Sequence, residues 1–281
     1  MNTQLLEGKK LAVKMQAEMK ERVQKLKEKG IIPGLTVILV GEDKASQVYV
    51  RNKERQANQA GINSQVIRLP ETTTESELLN EVKKLNEDDF VHGILVQLPL
   101  PKHIDEQKVL LSIQYEKDVD GFHPMNMGNF FLGNEGTLPC TPYGIMMLLK
   151  EYEISFEGKK ALVIGRSNIV GKPMAMMLMN ENATVTIAHS RTQELKKLIK
   201  ESDIVVAAIG RGHFISGDDL KTGAVVVDVG MNRDENGKLI GDVDTQSAMG
   251  IASYITPVPG GVGPMTITML LEQTIRKAEL N

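Results

Sequence analysis

The sequence predicts an α/β protein of two domains, the second suited to a dinucleotide. Three observations predict it. Short β-branched runs alternate with amphipathic helical patterns in two separate series, the pattern of parallel sheets. Between the series, residues 120–140 (DGFHPMNMGNFFLGNEGTLPC) are rich in Gly, Asn and Pro and lack periodicity. The second series opens on ALVIGRSNIVGKP, which reads as strand, glycine turn and helix.

The elements follow in order. A helical pattern covers about residues 3–29 and stops at Gly30. LTVILVG (35–41) is a buried strand. The next helix can be capped by Asp43 or Ser46 and stopped by Gly61. NSQVIRLP (63–70) is a strand, TESELLNEVKKLNED (74–88) a capped amphipathic helix, and VHGILVQLPLP (91–101) a strand running into a proline-bounded turn. Residues 120–140 fit either an interdomain segment or a long loop near a site. TPYGIMMLLKEY (141–152) predicts a connecting helix. Strands are then expected at 159–165, 183–190, 203–210, 224–230 and from 252, and helices at 171–182, 191–202 and from 265 to the end.

Bulk properties narrow the function. A net charge of −3 with mixed signs carries no electrostatic footprint for nucleic acid. The single cysteine, Cys140, has no internal partner for a disulfide and suits a reducing compartment. The first 20 residues carry acids and no continuous apolar core, unlike a signal peptide. No apolar run approaches the roughly 20 residues that span a bilayer. A soluble cytoplasmic protein with no nucleic-acid or membrane partner is expected. The five histidines show no metal-ligand spacing, so no metal is expected.

Ala45, Tyr49, Lys53 and Ala57 recur every four residues and share one helix face. A lysine in that small and aromatic stripe either snorkels from its edge or lines a site. Gln97 ends a buried strand and must find partners there, and Lys53 is a candidate. KDVDGFHP offers Asp118 and Asp120, on an exposed turn or at a site; the remaining positions of a calcium loop are missing. TPVPGGVGP places Pro257, Pro259 and Pro264 among Gly260, Gly261 and Gly263, which makes either a shaped ligand wall or a glycine-rich hairpin.

The turn Gly165–Arg166–Ser167 reads as a dinucleotide turn or as an ordinary tight βα turn. It is not a P-loop, because five residues separate Gly165 from Gly171 and Pro173 replaces the Ser/Thr. The next strand ends about 20 residues on, where an NAD site carries an acid. Here stand His189, Ser190, Arg191 and Thr192. A hydroxyl and a guanidinium, with Arg166 nearby, suit a 2′-phosphate, so NADP is expected over NAD. Met231, after DVG, fits either a nicotinamide contact or a loop-side core methionine.

YVRNK, ILVQLPLP, KDVDGFHP, PCTP, GRSNIVGKP and ITPVPGGVGPMT occur in one order over essentially the whole chain. Together they closely resemble the bifunctional methylenetetrahydrofolate dehydrogenase/methenyltetrahydrofolate cyclohydrolase family. The resemblance implies two α/β domains flanking a cleft: 1–138 for folate, joined by a C-terminal helix (267–281) that packs back on it, and a Rossmann-like 139–266 for NADP. It implies Lys53 as central catalytic side chain, Tyr49 packed against the folate, Gln97 bonded to Lys53, and Asp120 anchoring the pterin's amino edge. Leu98, Pro257, Gly260 and Gly261 would complete the substrate site. Gly165, Arg166, Ser167, Ser190, Arg191 and Met231 would hold NADP. A homodimer acting on tetrahydrofolate derivatives is implied, in the short two-activity form. A short-chain dehydrogenase also uses Tyr-x-x-x-Lys, but there the dinucleotide turn comes first. A shikimate-type dehydrogenase lacks the PVPGGVGP loop, and a cofactor-sensing binding protein would have no need of Lys53, Gln97 and Asp120.

Overall fold

The computed structural model describes residues 2–280; the side chain of Ala45, expected on the Tyr49 stripe, lies outside the described part. The chain forms two compact units. One comprises the segment up to Val13 with Thr141–Thr266, the other Lys14–Cys140 with the helix from Ile267.

In the unit beginning at Lys14, α1 (Gly8–Glu28) leads into β2 (Gly34–Val40), α2 (Lys44–Ala60), β3 (Asn63–Leu69), α3 (Glu75–Glu87) and β4 (Gly93–Val96). Strand β2 is central in a parallel three-stranded sheet, order β3-β2-β4, and is buried along its whole length. That explains its run of apolar and β-branched residues, Thr36 included. Asp43 caps α2 by accepting from the Ser46 N–H (2.7 Å), and Gly61 ends it at φ 85°, a left-handed turn that favours glycine. Thr74 and Glu77 close a capping box on α3.

This unit also holds two short helices that the periodic pattern does not predict. Helix α4 (Glu106–Ser112) is capped by the Asp105 carboxylate, which accepts from the Gln107 and Lys108 N–H groups. Helix α5 (Pro124–Phe131) lies inside the stretch read as irregular. His123 Nδ1 caps it and Pro124 starts it, where a missing N–H is harmless. Helix α10 (Val262–Leu280) closes the chain. Its later turns pack on α1, where the Arg22 guanidinium binds Glu272 and Glu279 together.

The other unit carries α6 (Cys140–Glu151), β5 (Lys160–Ile164), α7 (Gly171–Asn180), β6 (Thr184–Ala188), α8 (Leu195–Glu201), β7 (Ile204–Ala207) and β8 (Val225–Asp228). A short hairpin of β9 (Asn232–Arg233) and β10 (Leu239–Ile240), α9 (Thr245–Ala248) and β11 (Tyr254–Ile255) follow. Its parallel sheet runs β1-β11-β8-β7-β5-β6, with β1 (Gln4–Leu5) at one edge. The chain reverses its direction of winding between β5 and β7, the switch point at which open α/β sheets bind ligands.

The start of the chain departs from expectation. The pattern predicts one long helix from about residue 3, within the first domain. Instead β1 pairs with β11, and the Leu6 N–H donates to the Ile255 carbonyl (2.8 Å). Gly8 then packs so tightly that a Cβ there would lie 1.9 Å from the Gly261 carbonyl oxygen. Helix α8 also starts later than expected, because residues 189–192 form a separate turn.

Candidate active site

Helix α2 and the end of β4 bring the first group of side chains together. Tyr49 and Lys53 lie one turn apart and half-buried on α2, whose Val50 and Ala57 are fully buried. The helix thus turns its Lys53 flank toward a polar interior edge. The Lys53 ammonium donates to Gln97 Oε1 at 3.0 Å, and Gln97 Nε2 donates to the Leu98 carbonyl at 2.7 Å. Both ends of the Gln97 amide are therefore engaged, and its oxygen can only face the ammonium.

The two aspartates of KDVDG divide the work. Asp118 is buried and accepts from the N–H groups of Gly121 (3.0 Å) and His123 (2.9 Å) and from Asn126 Nδ2 (2.8 Å). It builds the loop. Gly121, at φ 77°, lies so close to Leu138 and Pro139 that a Cβ would fall 2.3 Å from the Leu138 carbonyl carbon. Asp120 is half-buried, near both Lys53 and Cys140. Burial pushes its carboxyl above the ordinary range; the nearby Lys53 charge opposes that rise and Asp118 adds to it. Cys140 is buried beside it and donates to the Val119 carbonyl (3.2 Å). Burial and then the Asp120 charge push that thiol up, so it stays protonated and serves as structure.

In the other unit, β5 ends at Gly165 (φ 138°), where a Cβ would lie 2.4 Å from the Ala208 carbonyl oxygen. Gly171 is equally constrained: a Cβ there would lie 2.2 Å from the Gly165 carbonyl oxygen. Between them, Ser167 Oγ accepts from the N–H groups of Val170 (3.1 Å) and Gly171 (3.3 Å), so this side chain sets the start of α7. Arg166 is exposed at the turn. At the end of β6, Thr192 Oγ1 accepts from the His189 N–H (2.8 Å) and His189 Nδ1 accepts from the Arg191 N–H (3.2 Å). This pinned turn leaves Ser190 and Arg191 exposed. The way His189 and Thr192 position the turn depends on a fold-back that no spacing rule reveals.

Beyond β7 and β8, two buried carboxylates shape the loops. Asp242 accepts from the N–H groups of Ile209, Gly210 and Arg211 (2.6–3.0 Å) and from Asn232 Nδ2 (2.9 Å). Asp228 accepts from Gly230, Asp242 and Val243 N–H (2.8–2.9 Å). Met231, half exposed, follows Gly230. The loop after β11 is tied by the Gly261 N–H to the Pro257 carbonyl (2.8 Å), and Gly260 takes φ 109°. Pro257, Gly260 and Gly261 thus belong to the unit of the dinucleotide turn, and Lys53, Gln97, Leu98 and Asp120 to the other. Among the described residues, no cluster of three or more His, Cys, Asp or Glu is arranged for a metal, and no helix is long and apolar enough to cross a membrane.

A parallel sheet with a glycine turn at its switch point, together with a lysine–amide–carboxylate cluster, defines an NAD(P)-binding α/β enzyme of two units. Comparison with known proteins narrows the class. Residues 6–120 match the tetrahydrofolate dehydrogenase/cyclohydrolase catalytic domain, and residues 139–281 the NAD(P)-binding domain of the same name. The chain belongs to the tetrahydrofolate dehydrogenase/cyclohydrolase family. It is 65% identical over 274 residues to the bifunctional protein FolD of Lactococcus lactis subsp. cremoris, covering 98% of this chain and 96% of that one. Among solved structures, the bifunctional FolD enzyme of Campylobacter jejuni superposes with a TM-score of 0.98 at 53% identity, over 99% of both chains. The Trypanosoma brucei enzyme, solved with NADP and an inhibitor, gives 0.96 at 40% identity, over 100% of this chain and 98% of that one.

Proposed function

We propose that this chain oxidises 5,10-methylenetetrahydrofolate to 5,10-methenyltetrahydrofolate with NADP and hydrolyses that product to 10-formyltetrahydrofolate. Membership of a family named for both activities supports this reading. The observation that carries it is the Lys53–Gln97 hydrogen bond beside the half-buried Asp120.

A pterin presents adjacent N–H donors, for which a carboxylate is the geometric complement. Asp120 supplies it, and the cost of burying that charge is offset when those donors arrive. Tyr49 covers the ring, and Leu98 completes the substrate contacts of this unit. Bound NADP supplies the hydride acceptor, and its nicotinamide must touch the folate's one-carbon bridge. Hydrolysis of the methenyl product needs a proton moved at the water attacking that carbon. In its amine form Lys53 Nζ, held in line by the Gln97 oxygen, takes that proton and returns it to the ring nitrogen released as the bridge opens.

The donor set beside the Gly165–Ser167 turn fits the cofactor. Exposed Arg166, Ser190 and Arg191 offer positive charge and a hydroxyl, and residues 189–192 include no carboxylate to repel a 2′-phosphate. NADP is therefore the preferred cofactor in this reading, with Met231 beside the nicotinamide. The folate unit is taken as 1–138 with 267–281, less the segment up to Val13, and the cofactor unit as 139–266 together with that segment. The active form is proposed as a cytoplasmic homodimer joined through the cofactor unit, where Ile169, Met179 and Ile187 expose apolar surface.

Asp120→Ala tests the reading. It leaves pterin donors unpaired, so folate affinity should fall at least about tenfold while NADP affinity is unchanged. Calorimetric titration measures both. Normal folate affinity in this variant would make Asp120 part of the loop scaffold.

A further inference from the structure

Helix α10 places one fully polar side chain, Gln273, beneath the loop that carries Asp120. Gln273 is 4% exposed. Its Oε1 accepts from the Leu138 N–H (2.7 Å). Its Nε2 donates to the Val119 carbonyl (2.9 Å) and the Leu138 carbonyl (2.9 Å) and lies 3.3 Å from Cys140 Sγ. One amide thus bridges the chain on both sides of Asp120's setting: Val119 directly before it, and the 138–140 segment pressed against Gly121. The Cys140 N–H adds a bond to the Asp120 carbonyl (3.3 Å), and the Cys140 thiol returns to the Val119 carbonyl. Helix α10 packs close to this loop, where Thr274 and Val119 both crowd Gly93: a Cβ at Gly93 would lie 3.2 Å from Thr274 Oγ1 and 2.7 Å from Val119 Cγ1.

We infer that Gln273 is a positioning residue for the folate site, setting where the Asp120 carboxylate stands by tying Val119 to Leu138. The inference rests on the reading of Asp120 given above. A carboxylate that must meet two pterin donors at once tolerates little displacement, because misaligned hydrogen bonds weaken steeply. Only an amide serves at position 273. A carboxylate would face two carbonyl oxygens, and an apolar side chain would strand the Val119 and Leu138 groups without partners in a dry interior.

The test is a double-mutant cycle on folate binding with Gln273→Met and Asp120→Ala, in the full-length protein. Gln273→Met keeps length and volume and removes all four contacts. KM for methylenetetrahydrofolate should rise about tenfold, with KM for NADP changed less than twofold. Dehydrogenase and cyclohydrolase rates at saturating folate should fall together and by less. In the Asp120→Ala background, Gln273→Met should leave folate KM unchanged, because the group it positions is gone. A side chain that only stabilised the fold would lower Tm in both backgrounds without this loss of effect. Gln273→Glu, which keeps the acceptor and loses the donors, should raise folate KM in the same way; it is read identically if Gln273→Met does not fold. A folded variant with unchanged folate KM overturns the inference, as does an equal KM increase with and without Asp120. If Asp120→Ala itself binds folate normally, it is the site reading that fails.

Discussion

The Lys53 ammonium and the Gln97 amide oxygen stand 3.0 Å apart, and the same amide's nitrogen is committed to the Leu98 carbonyl. The pairing therefore has one orientation. Lys53→Gln keeps a polar side chain but cannot take up or release a proton. Methenyl hydrolysis should fall by at least the roughly 10²-fold typical of lost general acid–base catalysis. Hydride transfer should fall less, since it needs alignment above all. Separate assays of methenyl formation and methenyl hydrolysis check this; intact hydrolysis with lost hydride transfer would reverse the role given to Lys53.

Cofactor choice is expected to depend on the turn after β6. The unmutated protein should favour NADP over NAD in kcat/KM, and Arg191→Ala should narrow that preference by about tenfold through loss of a charge-assisted contact. Arg166→Ala should narrow it too. Thr192→Val, which removes the acceptor for the His189 N–H, should weaken NADP through the turn's geometry alone. Equal kcat/KM for the two cofactors in the unmutated enzyme would contradict the assignment.

Stability should carry a pH signature of the buried pair in the cofactor unit. Burial pushes the Asp228 carboxyl up to about 6; three backbone N–H donors oppose that rise, and the Asp242 charge adds to it. The folded chain then keeps this proton over a range where the unfolded chain has lost it. Stability from this group is full below about pH 4 and is lost as pH rises to about 6, by about 3 kcal/mol in all. Urea unfolding of the unmutated protein and Asp228→Asn between pH 4 and 7 should show their stability difference changing by that order. Asn, which cannot satisfy three donors with one acceptor oxygen, should be the less stable form throughout; a pH-independent difference would refute the shift.

Arg22 links α1 to α10 by pairing with Glu272 and Glu279 at 2.7–3.0 Å. Those carboxylates hold its guanidinium charged well beyond the ordinary range, although burial works against it. Arg22→Lys loses the two-sided fork while keeping the charge. Because the site is about one-third exposed, a loss of about 1–2 kcal/mol is expected, with Tm lower by a few degrees and less so at high salt. Thermal unfolding at two ionic strengths measures it.

The sequence by itself determined whatever depends on near neighbours. The alternating elements, the Gly61 stop, the Thr74–Glu77 box and the shared face of Tyr49 and Lys53 follow from the 3.6 and 2.0 residue periods and from capping chemistry. The family's motifs supplied the remaining candidate positions. Tertiary structure alone decided matters in which distant segments compete for the same partner. It sent residues 4–5 to the edge of the second sheet, where β11 offered unpaired backbone groups. It split the two aspartates of KDVDG, burying Asp118 against three donors and setting Asp120 near Lys53. It also brought Gln273 to Val119 across more than 150 residues. Local periodicity carries no information on such pairs, because their geometry is set by which surfaces bury each other once both are folded.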